Sequence, residues 1–129
     1  MNKKGFTIVE ILAVLVILSL LLILTIPSIK NALTNGKNKI NEINKKQIED
    51  AAKIIVDEVI YCNMTEITKD ALAETSCSNA KTKLINGVDI DVSKLNLDDK
   101  SSKCSGTINV KIDSETYKET IDTTNVICK

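Results

Sequence analysis

The apolar positions divide the chain into three stretches. From residue 6 to residue 26 nearly every position is apolar, interrupted only by Thr7, Glu10, Ser19 and Thr25. About 21 residues at about 1.5 Å each give a helix about 31 Å long, the hydrocarbon thickness of a bilayer. Beyond Pro27 the pattern becomes periodic. Ile29, Leu33, Gly36, Ile40 and Ile43 step by fours and threes, and Ile48, Ala51, Ala52, Ile55, Val59 and Cys62 continue a stripe of the same width, slightly rotated. This is helical periodicity. Pro27 lacks an N–H and kinks or interrupts a helix. Because the period resumes after it, one long helix is expected over residues 6–61, with a clean stop at Pro27 as the alternative. Asn35-Gly36 inside that helix costs about 1 kcal/mol and loosens it.

The last third is shorter in period. Residues 65–75 predict a short helix through Ile67, Ala71 and Leu72. Leu84-Ile85-Asn86-Gly87-Val88 reads as a tight hairpin turn between apolar positions. Val88, Ile90 and Val92 alternate with Asp89 and Asp91, which puts the carboxylates on the wet face of a strand. Ile108, Val110 and Ile112 alternate again. A turn at Asp113-Ser114-Glu115 leads into a strand over residues 116–121, and Val126-Ile127-Cys128 forms a short final one. The expected class is α+β: a long N-terminal helix, membrane-spanning in its first half, packed on a small antiparallel β-sheet head. No internal repeat or low-complexity linker is present.

Other readings of the apolar run are weaker. A buried core helix would need more than the roughly 100 remaining residues to cover an all-round apolar surface. A cleaved secretory signal has a shorter apolar stretch and a small-x-small site, and Pro27-Ser28-Ile29 is a poor substitute for one. An uncleaved single-pass anchor remains as the plain alternative. The flank before the run carries Lys3 and Lys4 and no acid, so the positive-inside tendency places the N-terminus in the cytoplasm and the rest of the chain outside.

Glu10 is the exception within the run. A carboxylate at depth in a membrane costs a few kcal/mol, and such residues usually have a partner. Near the end of the run the cost is smaller, and a glutamate that snorkels to the headgroups is the plain alternative. No basic residue lies one turn away within the run. A cut between Gly5 and Phe6 would create an α-amino group four residues before Glu10, a cation for the Glu10 of a neighbouring chain.

Lys3-Lys4-Gly5-Phe6-Thr7-Ile8-Val9-Glu10, with Pro27 at its spacing, resembles the prepilin signature of type IV pilins and their pseudopilin relatives. The resemblance is close over the first 30 residues and only one of layout beyond them. It implies a leader of residues 1–5, cut after Gly5 by a membrane aspartyl prepilin peptidase that then methylates the Phe6 amine. It implies that Glu10 neutralises the Phe6 amine of an adjacent subunit during assembly. Many members have a glycine where this chain has Ser19, so melting of the helix between Ser19 and Pro27 is less expected here. The expected divisions are 1–5, leader; 6–29, membrane and filament-core helix; 30–61, second half of the helix; 62–129, a disulfide-stapled head. The segment from Cys104 to Val110, followed by Tyr117, more loosely resembles the C-terminal hairpin of pilin-like proteins of Gram-positive bacteria.

Charge and cysteines sharpen the picture. All 17 basic residues are lysine, 17 residues are acidic, and there is no histidine or tryptophan. Loss of Lys3 and Lys4 leaves 15 lysines against 17 acids, a net charge of −2. With neither a basic stripe nor stacking aromatics, direct nucleic-acid binding is not indicated. Lys30, Lys37, Lys39, Lys45, Lys46 and Lys53 make the middle of the helix locally basic against Glu42, Glu49 and Asp50. A solvated face or headgroup contact accounts for this, and pairing with acidic heads of neighbouring subunits is the functional alternative.

A head of this size needs staples. Cys62, Cys77, Cys104 and Cys128 supply them on the outer side of the membrane. A structural zinc site would want paired C-x-x-C spacing, whereas the gaps here are about 15, 27 and 24 residues with no histidine. Three pairings exist; Cys62–Cys77 with Cys104–Cys128 is preferred, because it ties the helix end to the following loop and clips the C-terminus.

Candidate chemistry is thin. Asp89, Asp91, Asp98 and Asp99 are oxygen ligands for calcium, which some pseudopilins hold in this region, but no D-x-D-x-D-G loop is present and a solvated acidic loop is the simpler reading. No metal or cofactor is called for. Without histidine, nucleophile elbow or phosphate loop the chain is not expected to be an enzyme. Asn63-Met64-Thr65 fits a glycosylation sequon, a triplet frequent by chance.

The expected function is therefore a structural subunit of a type IV pilus (fimbrial), type II secretion-like or DNA-uptake (competence) filament. Its expected partners are other pilins, prepilin peptidase, a pilus assembly platform protein and the lipid bilayer. It would be stored in the cell membrane and then built into a surface filament. The alternative is a minor pilin or membrane-tethered binding module whose head captures a ligand or surface.

Overall fold

In a computed structural model of the chain, residues 5–97 and 103–129 are described. In chain order these form helix α1 (Ile8–Ile60), α2 (Glu66–Leu72), α3 (Cys77–Asn86), strand β1 (Val88–Asp91), a 3₁₀ turn (Val92–Lys94), β2 (Cys104–Ser105), β3 (Thr107–Ile112), β4 (Glu119–Asp122) and β5 (Ile127–Cys128). The class is α+β, with a long apolar N-terminal helix and a small antiparallel sheet, consistent with a type IV pilin fold.

Helix α1 runs within two residues of the expected span at each end, and it continues through Pro27 rather than stopping there. The proline lacks the N–H that would bond the carbonyl one turn earlier, so one ladder bond is missing without ending the helix. By internal contacts the chain forms two compact units, divided between Lys39 and Ile40.

Up to Lys39, the described residues are helical from Ile8 onward and all solvent-exposed. Apolar side chains that would be buried in a soluble fold are uncovered among the described residues. Leu18, at 50%, is among the least exposed, and Phe6, at 82%, the most.

The unit from Ile40 to Lys129 holds the core. The helical period of α1 places Ile48, Ala52, Ile55, Val56 and Val59 inside, where they join Leu72, Leu84, Ile90, Ile108, Val110 and Ile112. The helix face therefore continues inward from residue 48, while Ile40 and Ile43 of the same periodic pattern stay exposed. Two antiparallel sheets complete the unit. One is ordered β1-β3-β4, with Val88 opposite Val110, Ile90 opposite Ile108, and Val110 opposite Ile121. In β3 the burial alternates strictly, with Ile108, Val110 and Ile112 inward and Thr107, Asn109 and Lys111 outward, as the period of two requires. The second sheet pairs β2 with β5, Cys104 opposite Cys128.

Two local expectations are corrected. Residues 84–88 do not form a hairpin turn. Asn86 ends helix α3, and Gly87, at φ +88, caps it, its N–H bonding the Leu84 carbonyl at 3.2 Å before β1 begins. Asn-Gly suits a helix end as well as a hairpin, because glycine adopts positive φ without penalty in both. Ala80 and Leu84, one turn apart and both buried, are the helical signal that the turn reading passed over. The strand expected over residues 116–121 begins only at Glu119. The Asp113 carboxylate accepts the N–H groups of Glu115 (3.0 Å) and Thr116 (2.8 Å), and these bonds lengthen the turn.

The short helix expected over residues 65–75 is present as α2. Thr65 caps it, accepting the Thr68 N–H, and Ala73 closes it in the left-handed conformation. Its buried face is Thr68, Ala71 and Leu72, while Ile67 is 41% exposed.

Candidate functional site

The start of α1 gathers the residues singled out in the N-terminal motif. Lys3 and Lys4 lie outside the described residues. At Gly5 an added Cβ would meet open space, and Phe6 is 82% exposed, so both residues flanking that peptide bond are open among the described residues. Thr7 and Glu10 then close on each other. The Thr7 N–H donates to Glu10 Oε2 at 3.0 Å, the Thr7 hydroxyl to the same oxygen at 3.3 Å, and the Glu10 N–H to Thr7 Oγ1 at 3.3 Å. This is a capping box, which satisfies backbone donors at the first turn. The Thr-x-x-Glu spacing announces it, and the sequence reading, occupied with the charge of Glu10, missed it. Within the chain Glu10 is bonded to Thr7 and not to Phe6.

Along the apolar helix the polar side chains turn inward on the backbone. Ser19 donates to the Leu15 carbonyl at 2.7 Å and Thr25 to the Leu22 carbonyl at 3.2 Å. Hydroxyls bonded within their own helix have no need of water, the condition for residing in hydrocarbon. Among the described residues α1 is the one helix long and apolar enough to cross a membrane, and its apolar stretch is unburied.

After the apolar run the lysines stand free. Lys30, Lys37, Lys39 and Lys46 are exposed and Lys45 half-buried, and none forms an ion pair among the described residues. Lys53 does, with Asp50 at 4.0 Å.

The cysteines fall into two pairs, Cys62–Cys77 and Cys104–Cys128, with Cα separations of 5.6 and 4.0 Å. The first joins the residue just past α1 to the first residue of α3. The second crosses the β2–β5 pair and ties down the C-terminus. Cys62 is exposed and adopts φ +56, whereas Cys104 is buried.

A network that the sequence reading did not anticipate surrounds Glu58. Its Oε2 accepts the Thr65 N–H at 3.0 Å, the Thr65 hydroxyl at 2.9 Å and the Thr68 hydroxyl at 2.5 Å, which docks the start of α2 on α1. Partial burial pushes the Glu58 carboxyl up, but the bonds from Thr68 and Thr65 outweigh it and hold the carboxyl below its ordinary value. The Thr65 hydroxyl of the sequon is thus engaged, while Asn63 is exposed.

The acidic positions considered for calcium do not converge among the described residues. Asp89 accepts Asn109 Nδ2 at 2.7 Å, and Asp91 accepts the Ser93 N–H at 2.8 Å, which with the Ser93 hydroxyl holds its carboxyl below the ordinary value. Asp98 and Asp99 lie outside the described residues. No group of three or more His, Cys, Asp or Glu side chains suited to a metal occurs among the described residues.

Residues 1–26 match the family model of the prokaryotic N-terminal methylation motif, the leader signature of type IV pilins and pseudopilins. The match ends one residue short of Pro27 and leaves the head uncovered. No curated protein and no solved structure matches the chain. The motif marks the precursor of a type IV pilin-like or pseudopilin subunit, of the kind that prepilin peptidase processes.

Proposed function

We propose that the chain is a filament subunit, a pilin or pseudopilin, stored in the membrane after removal of residues 1–5 and then drawn into a fibre with other pilins. The observation that carries this reading is a methylation motif over residues 1–26 on a helix whose apolar side chains before Pro27 are uncovered among the described residues. Such a surface is stable in only two settings, lipid or a bundle of like helices. Assembly exchanges the first for the second.

Prepilin peptidase cuts between Gly5 and Phe6, and the amine of Phe6 is methylated. The N-terminus faces the cytoplasm, and the head, with its two disulfides, faces outside. In the fibre the Glu10 carboxylate accepts the charge of a neighbouring subunit's Phe6 amine, an ion pair favoured by the apolar surroundings and by the lack of any other cation there. Pro27 is where the helix bends to fit its neighbours. The subunit's partners are other pilins, prepilin peptidase and an assembly platform protein in the membrane. The charge balance of the head gives no support for nucleic acid as its direct ligand.

The test is the intact mass of the chain from membrane and sheared-surface fractions. The reading requires a species beginning at N-methyl-Phe6, present in sheared fibres. A mass that retains residues 1–5 in every fraction contradicts it and leaves an uncleaved membrane anchor.

A further inference from the structure

The strongest unassigned feature is a groove of about 210 Å³ where α1 meets α2, lined by Ala51, Ile54, Ile55, Ile67 and Thr68, with Glu58 among them. Its apolar side chains include Ile54, 59% exposed, and Ile67, 41% exposed, and Thr65 and Asn96 add polar groups to the lining. Its charged group is fixed in place, because three donors converge on Glu58 Oε2. Glu58 Oε1 receives no hydrogen bond among the described residues, and no lysine is paired with this carboxylate there. The groove thus offers a partly apolar slot with an anchored anion that lacks a cation among the described residues.

The same chain carries the complement. Between residues 30 and 46 there are five lysines against one acid, Glu42, and none of those lysines has an ion pair among the described residues. A lysine is four methylenes ending in an ammonium. Laid in the groove, its stem covers the isoleucines while the ammonium meets Glu58 Oε1. A phosphate headgroup would be repelled by the carboxylate. A purely apolar helix would strip water from an anion without replacing it, which is costly.

We propose that this groove is a docking site for a lysine from the 30–46 stretch of α1 of a second copy of the chain. The proposal rests on the filament reading, in which copies stand side by side, and adds to it a specific contact outside the membrane-embedded helices. It gives the free lysines a role that a solvated face does not.

The experiment uses fibres sheared from cells that make the full-length chain. Zero-length carbodiimide coupling joins a carboxylate to a lysine only where they touch. Coupled dimers are isolated and their peptides identified by mass spectrometry. The expected product links Glu58 to a lysine between residues 30 and 46. Alongside it, Glu58→Gln keeps an acceptor for Thr65 and Thr68 but removes the charge. It is expected to lower the sheared-fibre fraction about tenfold, with wild-type membrane level and both disulfides intact. Fibres whose dimers couple without Glu58, Glu58 coupled to a different protein, or a wild-type yield from Glu58→Gln would each overturn the docking site and leave the filament reading standing. Absence of the wild-type chain from sheared fibres would remove the filament reading, and the docking site with it.

Discussion

Thr7 and Glu10 hold each other at the first turn of α1, the Thr7 N–H on Glu10 Oε2 at 3.0 Å and the Glu10 N–H on Thr7 Oγ1 at 3.3 Å. The carboxylate that the filament reading assigns to a neighbour's amine therefore already has a local partner. On the proposed filament function, Glu10 already has hydrogen-bond donors before assembly, and what a neighbour's amine adds is the compensating charge. The two roles separate by substitution. Glu10→Gln retains an acceptor for the Thr7 N–H and loses the charge, whereas Glu10→Ala loses both. Both variants are expected to keep membrane levels near wild type while the sheared-fibre fraction collapses. Immunoblots of the two fractions measure this. Normal fibre yield from either variant would take the Glu10 charge out of the assembly step.

The two disulfides differ in access. Cys62 is exposed just past the end of α1, whereas Cys104 is buried across the β2–β5 pair. Thiol attack requires contact with a sulfur, so graded reductant is expected to open Cys62–Cys77 first. Trapping the new thiols by alkylation and mapping them by mass reads the order. Loss of either bridge by Cys→Ser is expected to destabilise the head by about 3 kcal/mol. Simultaneous opening of both, or Cys104–Cys128 first, would contradict the ranking.

The legibility of this chain in its sequence follows the reach of each signal. Helix α1 was readable end to end because its apolar spacing repeats over many turns, and β3 because Ile108, Val110 and Ile112 alternate without a break. Helix α3 was not, since Ala80 and Leu84 are its only buried positions and Asn86-Gly87 fits a turn equally well. The capping box at Thr7 is present in the Thr-x-x-Glu spacing, but an unusual charge within an apolar run points first to distant partners. The Glu58 network was invisible for another reason. Its donors, Thr65 and Thr68, follow a chain reversal, and only the fold shows that they return to α1. The pairing of the cysteines was one of three arrangements, and the β2–β5 register brings Cys104 opposite Cys128.

Gly106 is where the backbone leaves no room. It sits at φ +122 between β2 and β3, its carbonyl accepts the Val92 N–H at 3.0 Å, and a Cβ there would collide with the Asn125 carbonyl. Both the conformation and the contact exclude a side chain. Gly106→Ala is expected to destabilise the oxidised chain by more than about 2 kcal/mol, read by denaturant melts in detergent. Gly36→Ala, with open space around its Cβ inside α1, is expected to be neutral or stabilising in the same assay. Equal behaviour of the two variants would refute the packing argument.

The pH response of the head follows from its carboxylates. Glu58 is pushed up by burial but held below its ordinary value of 4.5 by the hydrogen bonds from Thr68 and Thr65. Asp113 is held below 3.8 by the Thr116 N–H and hydroxyl and the Glu115 N–H, and Asp122 by the Thr124 N–H and hydroxyl. Each group is a stronger acid folded than unfolded. As pH falls, the unfolded chain takes up protons first, so the equilibrium shifts toward unfolding. The contribution is fully present above the ordinary values, 4.5 for glutamate and 3.8 for aspartate, and is lost as pH falls through the lowered folded ones. Denaturant melts between neutral pH and about pH 3 are expected to show a plateau above about pH 5 and a decline below it. Glu58→Gln should flatten the part of that decline nearest 4.5, since the amide accepts the same bonds at every pH. A stability that stayed level or rose toward acid would mean that these carboxylates are not bound as ions in the folded head, and the anchored charge proposed for the α1–α2 groove would lose its basis.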